Sequence, residues 1–314
     1  MLDWTSATQT LKNTSQILVV SHVNPDGDAI GSTLAMGLIA KSLGISVTLV
    51  NESPVPEKLE FLPGTELIQL PSQVKKRFSV IVTVDAADIS RIGECQQLFA
   101  DDPIIINIDH HATNDGFGTI NVVKAEAAAT VEILYDWAEY LDIPISKQLA
   151  TVLYAGLLTD TGGFRYSNTS PNVLRIAATL LESGAASYEL ADRLLESISV
   201  RYLEQLKEAL GTMQIVFDGK VAYLTSEEED NDGLVNLARN IEGVDVGILF
   251  RPMDEHHIKV SMRSRNIIDV SQVALSLGGG GHARAAGCTV KGTMNEVIHN
   301  VLEKMKEAFE GVNE

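Results

Sequence analysis

The feature that most constrains the fold is an alternation of short Val- and Ile-rich runs with helical segments over roughly the first 125 residues. The runs QILVVSH, ISVTLVN, SVIVTVD and PIIINID predict buried strands, and GDAIGSTLAMGLIAKSLG predicts a helix. Strands that alternate with helices form βαβ units, in which neighbouring strands are parallel. The sequence therefore predicts an α/β fold with a parallel, doubly wound sheet in its first part.

The pattern changes after residue 190. Before that point, helices are predicted over 126–142, 147–159, 171–183 and 188–197, and Ser170-Pro171 gives a start signal for the third. A polar helix over about 200–213 is followed by strand-like segments, a hairpin turn at Asp218-Gly219, a glycine-rich loop and a last helix over 294–309. We predict a larger domain over 1–190, a helical linker over 191–213, and a smaller α/β domain over 214–314, with a cleft between the two domains.

The charge of the chain argues against a partner that is a long nucleic acid. The formal net charge is −18, which opposes electrostatic binding along a duplex. From Arg251 to Lys291, however, six basic residues face three acidic ones. This local excess suits a small anionic ligand, although an ordinary solvated surface would look the same.

The cellular context is predicted from what the sequence contains. The first residues carry no basic segment ahead of an apolar stretch, and no apolar run approaches the ~18 residues of a membrane span. The two cysteines, Cys95 and Cys288, form no C-x-x-C pair, as expected in a reducing compartment. We expect a cytoplasmic protein that does not associate with membranes.

Histidine and aspartate side chains follow three of the predicted strands. His22, Asp26 and Asp28 come after the first, Asp85 after the third, and His110 in Asp-His-His after the fourth. A further carboxylate, Asp160, ends a predicted helix. Because ligands of parallel α/β sheets bind beyond the carboxyl ends of the strands, we expect these side chains to converge at one edge.

The combination of imidazoles and carboxylates is typical of a site for divalent first-row metals such as manganese, cobalt, iron or zinc. Six donors are too many for one ion and suit two ions that share a carboxylate. Two such ions about 3.5–4 Å apart would ionise a bridging water near neutral pH for in-line attack on phosphorus. Each motif alone has a plainer interpretation, such as a helix cap or a turn; the predicted metal site depends on the four occurring together.

These motifs resemble the DHH phosphoesterase superfamily. HVNPDGD, VDAAD, the Asp-His-His triplet and LLTDTGG are similar to its four motifs, and SMRSRN and GGGGHARAAG are similar to its DHHA1 C-terminal domain. The likeness extends from residue 16 to about 310. Length and layout most resemble the group of bifunctional nano-RNases and phosphatases of 3′-phosphoadenosine 5′-phosphate (pAp).

The resemblance implies two manganese ions and a role for each donor. One ion would be held by His22, Asp26 and Asp85, and the second by Asp28, Asp85, His110 and Asp160, so that Asp85 bridges the two. The resemblance also implies that His111 lies at the scissile phosphate as a hydrogen-bond donor or proton shuttle. Asp109 would orient its neighbours. We read Asp88, three residues after Asp85, as a helix cap or a supporting residue.

The glycine-rich loop and the basic strand before it predict a substrate-binding surface. Gly279, Gly280 and Gly281 can adopt positive φ and present backbone N–H groups to an anion or a base. His282 and Arg284 would bind phosphate or stack on the base. Arg263 and Arg265 alternate about Ser264 and would point the same way on a strand. The plainer interpretation is a flexible turn beside a scattered basic strand.

The function that the resemblance implies is metal-dependent hydrolysis of short oligoribonucleotides, as an exonuclease on 2- to 5-mers, and of pAp. Hydrolysis of pApA or cyclic di-AMP is the nearest alternative within the same chemistry. A nucleotide sensor without turnover belongs to another class, and the presence of every expected metal ligand counts against it. Monomeric and homodimeric states both stay open at this point.

Overall fold

The structure, a computed structural model, describes residues 3–227 and 233–312. The chain divides into two compact units between Ser197 and Ile198. The predicted domain limits at 190 and 213, and the assignment of 191–213 as a linker, stay predictions.

The first unit alternates strands and helices, as predicted, and then continues as helices. Its elements are α1 Trp4–Lys12, β1 Gln16–Val20, α2 Gly27–Ser42, β2 Ser46–Val50, β3 Ile68–Gln69, β4 Phe78–Val84, β5 Phe99–Asp109, β6 Ile120–Val123, α3 Thr130–Tyr140, α4 Lys147–Asp160, α5 Pro171–Glu182 and α6 Ser187–Ala191. A single π-helical turn, Asp192–Glu196, follows α6 and completes the segment predicted as one helix over 188–197.

The sheet of the first unit has the strand order β3-β2-β1-β4-β5-β6, and every pair of neighbours is parallel. The two faces are covered separately: Ile17 and Val19 pack in a large core that includes residues of α2, α3 and α4, whereas Leu18 and Val20 pack against residues such as Ile92 and Cys95. Strands β1 to β3 extend the sheet in one direction and β4 to β6 extend it in the other, so the strand order reverses between β1 and β4. A crevice at the carboxyl ends of these two strands is the expected ligand site.

The second unit is built on a separate mixed sheet. Its elements are α7 Val200–Gly211, β7 Gln214–Val216, β8 Val221–Thr225, α8 Leu234–Asn240, β9 Val246–Pro252, β10 His257–Ser264, α9 Val270–Ser276, β11 Gly280–His282, β12 Ala285–Lys291 and α10 Met294–Val312. The strand order is β11-β12-β10-β9-β8-β7, with β8 and β9 parallel and the other neighbours antiparallel. Asp218 and Gly219, both at positive φ, lie in the predicted hairpin turn between β7 and β8.

Helices cover the second sheet unevenly. Side chains of α9 and α10, such as Val273 and Val301, pack with Val260 and Met262 of β10 on one face. On the opposite face, Val235 of α8 packs with Leu249 of β9. This leaves residues of β10, β11 and β12 on the second face partly or fully exposed.

The structure adds elements that the sequence did not predict. The short edge strands β3 and β6 extend the first sheet, and part of the predicted glycine-rich loop, Gly280–His282, is a strand paired with Ala285–Gly287. Among the residues that the structure describes, no helix has the length and apolar character needed to cross a membrane.

Candidate metal centre

His22 and Asp26 lie between β1 and α2, at the carboxyl edge of the first sheet. Asp26 is the N-cap of α2, and its Oδ1 accepts hydrogen bonds of 3.0 Å from the N–H groups of Asp28 and Ala29. The Nδ1 of His22 lies 2.8 Å from the carbonyl oxygen of Val23. That contact directs the opposite ring nitrogen, Nε2, to within 3.9 Å of Asp26 Oδ1. A backbone partner of this kind fixes the tautomer that a metal-binding histidine needs.

Asp85 lies at the centre of the arrangement, directly after β4. Its two carboxylate oxygens face different partners: Oδ2 lies 3.5 Å from His22 Nε2, and Oδ1 lies 3.6 Å from His110 Nε2. The residue is only 2% exposed and has a φ of +56°. A non-glycine residue in this left-handed region is uncommon, and such conformations cluster at functional sites.

His110 connects Asp85 to two further carboxylates. Its Nδ1 lies 3.3 Å from the carbonyl oxygen of Ala127. Its Nε2 lies 3.3 Å from Asp160 Oδ2, at the end of α4, and 4.0 Å from Asp28 Oδ2. As in His22, a backbone carbonyl therefore holds one nitrogen of the ring while the other faces carboxylates.

Asp28 is fully buried and bound by the start of α3. Its Oδ2 accepts the N–H of Thr130 at 2.6 Å, and its Oδ1 accepts the N–H of Val131 at 3.0 Å. The hydroxyl of Thr130 donates to Asp85 Oδ1 at 3.0 Å. One residue, Thr130, thus contacts two of the clustered carboxylates.

His111 and Asp109 form a pair beside this cluster. His111 Nδ1 lies 2.7 Å from Asp109 Oδ1, and Asn114 donates to Asp109 Oδ2, also at 2.7 Å. Asp109 is fully buried, whereas the His111 side chain is 30% exposed. The pair therefore presents a fixed imidazole to the solvent side of the cluster.

The pKa values of the clustered aspartates shift in opposite directions. Burial, followed by the charges of neighbouring aspartates, raises the pKa values of Asp28 and Asp160 well above the ordinary value. Burial acts in the same sense on Asp85, but the hydrogen bond from His22 and the nearby histidine charges outweigh it and lower its pKa. The hydrogen bond to Asp109 raises the pKa of His111. The cluster thus contains more buried negative charge than its histidines balance.

The donors fit a divalent metal centre. Three overlapping groups each have ligand atoms within 4.8 Å of one another: Asp85, His110 and His111; His22, Asp26 and Asp85; and Asp28, His110 and Asp160. Imidazole nitrogens and carboxylate oxygens suit first-row metals, and cations would balance the buried charge. Asp88 lies outside these groups: it caps the 3₁₀ segment Ile89–Leu98 by accepting from the N–H and hydroxyl of Ser90.

The predicted substrate residues of the second unit are less uniform. Arg263 lies on β10. Arg265 lies one residue beyond the end of that strand and donates to the carbonyl oxygen of Arg239 at 3.0 Å. The prediction that both arginines lie on one strand is therefore wrong. Ser264 is 3% exposed and donates to the carbonyl oxygen of Ala283. Arg284 donates to the carbonyl oxygen of Ile268 at 3.0 Å. The side chain of His282 lies outside the described part of the chain.

Two of the predicted glycines are required by close packing rather than by an open loop. A Cβ at Gly279 would lie 2.3 Å from the carbonyl oxygen of Gly287, and one at Gly281 would lie 2.6 Å from that of Ala285. Gly280, between them, has no atom within 4 Å of such a Cβ. Gly280 pairs with Gly287 of β12, so this pair contributes backbone atoms and no side chains to the sheet.

Three residues that hold the donors or the neighbouring Asp109 in place were not predicted from the sequence. These are Thr130, Asn114 and Asn168, whose side-chain amide donates to the carbonyl oxygens of Asp160 and Ala128 at 3.1 Å. Thr130 could have been noticed as a possible helix start, because threonine hydroxyls favour the first positions of helices. Its partner Asp28, however, lies 102 residues earlier in the chain.

Comparisons with known proteins agree with this geometry. Residues 16–157 match the N-terminal domain of the DHH family, and residues 218–311 match the DHHA1 domain. The chain is 39% identical, over 93% of its length and 89% of the relative's, to the bifunctional oligoribonuclease and PAP phosphatase NrnA of Thermus thermophilus. It is 26% identical, over 94% of its length and 96% of the relative's, to a protein of Streptococcus mutans named as probably having the same two activities.

A solved structure is similar over almost the whole chain. This exopolyphosphatase-related protein from Bacteroides fragilis has 26% identity and a TM-score of 0.92, covering 99% of this chain and 97% of its own. With the family matches and the Thermus relative, this similarity gives one consistent assignment: the chain belongs to the DHH/DHHA1 phosphoesterase superfamily.

Proposed function

We propose that this chain is a phosphoric ester hydrolase that degrades short oligoribonucleotides, two to five nucleotides long, and removes a phosphate from pAp. Two of its relatives are named for these two activities, one of them as probable. The metal ligands, the substrate residues and the use of manganese belong to the proposal. A cytoplasmic location is also part of the proposal, because both cysteines are free. The proposal leaves open whether the protein forms a homodimer.

The observation that carries the proposal is the position of Asp85. Its two oxygens face His22 and His110, one in each predicted set of ligands, at distances of 3.5 and 3.6 Å. A carboxylate placed in this way can bridge two cations. Two divalent ions held here would supply Lewis-acid activation of water and of the phosphate oxygens.

In this proposal, His111 exchanges a proton with the substrate. Its Nδ1 is held by Asp109, so the exchange would take place at Nε2. Hydrogen bonding to Asp109 raises the pKa of His111 and so increases the protonated fraction of the ring. A protonated ring can donate a hydrogen bond to a phosphate oxygen or a proton to a leaving oxygen. Asp109 keeps the orientation of the ring, since both of its oxygens are hydrogen-bonded.

The second sheet offers groups suited to gripping an anionic ligand. Arg263 pairs across the sheet with Ala285, and Ser261 pairs with Gly287, which in turn pairs with Gly280. A patch of small side chains lets a planar base approach the backbone, and a guanidinium beside it can bind phosphate.

Two alternative functions explain fewer of these observations. Hydrolysis of cyclic di-AMP or pApA would use the same metal centre, but the names of the relatives mention neither compound. A sensor without turnover has no need of clustered donors that include a bridging carboxylate and a separately oriented His111.

A turnover panel tests the proposal. Purified protein with manganese would be assayed on pAp, pApA, cyclic di-AMP, RNA 2- to 5-mers and a 24-mer. We expect turnover of pAp and short RNA, and a steep fall in efficiency towards the 24-mer that becomes shallower at higher salt, because a net charge of −18 repels each added phosphate. Equal rates on a 3-mer and a 24-mer at low salt would contradict the short-substrate assignment.

A further inference from the structure

One exposed aromatic residue, Tyr166, is close in sequence to the predicted metal ligand Asp160. Among the residues described, 3–227 and 233–312, the aromatic side chains that are more than half exposed include Tyr140 at 54%, Tyr166 at 55% and Tyr188 at 84%. Tyr166 follows the clustered carboxylate Asp160 by six positions. A tyrosine ring presents a flat apolar face on which a nucleobase can stack.

The backbone after Asp160 folds back so that this ring returns to it. Gly162, Gly163 and Phe164 have φ values of +56°, +72° and +61°. The N–H of Tyr166 donates to the carbonyl oxygen of Thr161 at 3.0 Å, which closes the turn. Three successive left-handed residues reverse the chain tightly, and the non-glycine among them is strained, as is frequent at ligand sites.

The ring of Tyr166 lies directly against Gly162. A Cβ at Gly162 would stand 2.3 Å from the Cζ of Tyr166, so only glycine admits the ring there. Asn168, two residues further on, donates to the carbonyl oxygen of Asp160 and ties the end of the turn to the metal centre. The ring therefore lies against a glycine two residues from a predicted metal ligand, while Tyr166 is more than half exposed.

We infer that Tyr166 is a stacking platform for the nucleobase next to the scissile phosphate. The inference rests on the proposed function and adds to it the group that recognises the base. Stacking on an aromatic face accepts every base, because each has a π-face. An enzyme that degrades short RNA of any sequence needs recognition of this kind, whereas hydrogen bonds to base edges would restrict it.

The alternative is that Tyr166 merely covers the turn at Gly162. In that case its loss would disturb Asp160 and slow every phosphoester alike. Substrates that lack a base separate the two roles, because they keep the phosphate and remove only the stacking partner.

The test compares Tyr166→Leu with the wild type on two matched pairs of substrates: an RNA 2-mer against its abasic counterpart, and pAp against ribose 3′,5′-bisphosphate. We expect kcat/KM on the base-containing substrates to fall about tenfold and kcat/KM on the abasic ones to stay within twofold. Tyr166→Phe keeps the ring and should behave as wild type. Tyr140→Leu, at an equally exposed tyrosine, is the control.

Three results have distinct meanings. An equal fall on base-containing and abasic substrates, or no fall on either, overturns the stacking role. The manganese-induced rise in melting temperature should be the same in Tyr166→Leu as in wild type; a smaller rise assigns the residue to the metal centre and also overturns the inference. Wild type that turns over no nucleotide refutes the proposed function instead.

Discussion

The two units of this chain build their functional surfaces in opposite ways. In the first unit the candidate chemistry lies in side chains that are buried and held: Asp28, Asp85 and His22 are 0, 2 and 6% exposed. In the second unit the candidate surface is largely backbone at Gly280 and Gly287, with Arg263 beside it. Metal chemistry requires ligands that packing and hydrogen bonds hold in place, whereas a backbone surface depends on small residues that leave it accessible. The expected effects of substitution should differ accordingly.

The largest effect is expected at Asp85. Asp85→Asn keeps the size of the side chain and suits the left-handed backbone, so it removes mainly the charge. Loss of a bridging ligand should cost several kcal/mol of transition-state stabilisation, or more than about a thousandfold in kcat/KM. Asp88→Asn, at the partly exposed helix cap nearby, should stay within twofold. Retention of more than about a tenth of wild-type activity at saturating manganese, in either Asp85→Asn or Asp85→Ala, would exclude the bridging role.

A contrast between His111 and Arg263 comes next in size. His111→Ala should lower kcat by about 10²–10⁴-fold, the usual contribution of a proton donor, with metal content unchanged. Arg263→Ala should mainly raise KM, about tenfold, because a phosphate clamp acts on ground and transition states alike. Steady-state kinetics and metal analysis of both variants measure this. Equal loss of bound metal in the two would show that neither role is right.

Substitution of Thr130 tests whether the buried hydrogen bonds contribute to metal affinity. Thr130→Val removes the hydroxyl that donates to Asp85 but keeps the backbone N–H that binds Asp28. Supporting hydrogen bonds of this kind typically contribute 10–100-fold to metal affinity or activity. Calorimetric titration with manganese should show the weaker affinity, and Thr130→Ser, which retains a hydroxyl, should recover most of it. Wild-type affinity in the valine variant would remove Thr130 from the metal centre.

In the second unit a matched pair of glycines should separate packing from binding. Gly281→Ala places a Cβ against β12 at a φ of +140° and should destabilise the unit by about 1–3 kcal/mol. Gly280→Ala meets open space, so its melting temperature should equal that of wild type. A raised KM in Gly280→Ala alone would locate substrate on this strand; an unchanged KM would argue against contact there.

The smallest effect concerns pH and the metal-free protein. The raised pKa values of Asp28 and Asp160 mean that the folded chain binds more protons than the unfolded chain above the ordinary value near 4, so its stability falls as the pH rises through the raised values. Manganese should relieve this repulsion. We expect its gain in melting temperature to be at least about 3 °C larger at pH 8 than at pH 5.5. A gain that does not depend on pH would contradict the charge argument.

The sequence predicted the parallel sheet and the convergence of six donors because both follow from local information. Strand periodicity is readable, and a parallel sheet brings strand ends such as those before His22 and Asp85 to one edge. Thr130 and Asn168 could not be identified in this way, since their hydrogen bonds join residues that are distant in sequence. The packing role of Gly281 depends on a strand that follows it, and the placement of Arg265 depends on where β10 ends.

The bond between Asp28 and the start of α3 also bears on how the chain folds during synthesis. Its partners are 102 residues apart, and those of the bond from Asn168 to Ala128 are 40 apart. At a synthesis rate of about 5–20 residues per second, Asp28 would wait roughly 5–20 s for Thr130 to be made. A site closed by such distant contacts forms late. The nascent chain would therefore acquire its metal-binding capacity only after most of the first unit has left the ribosome.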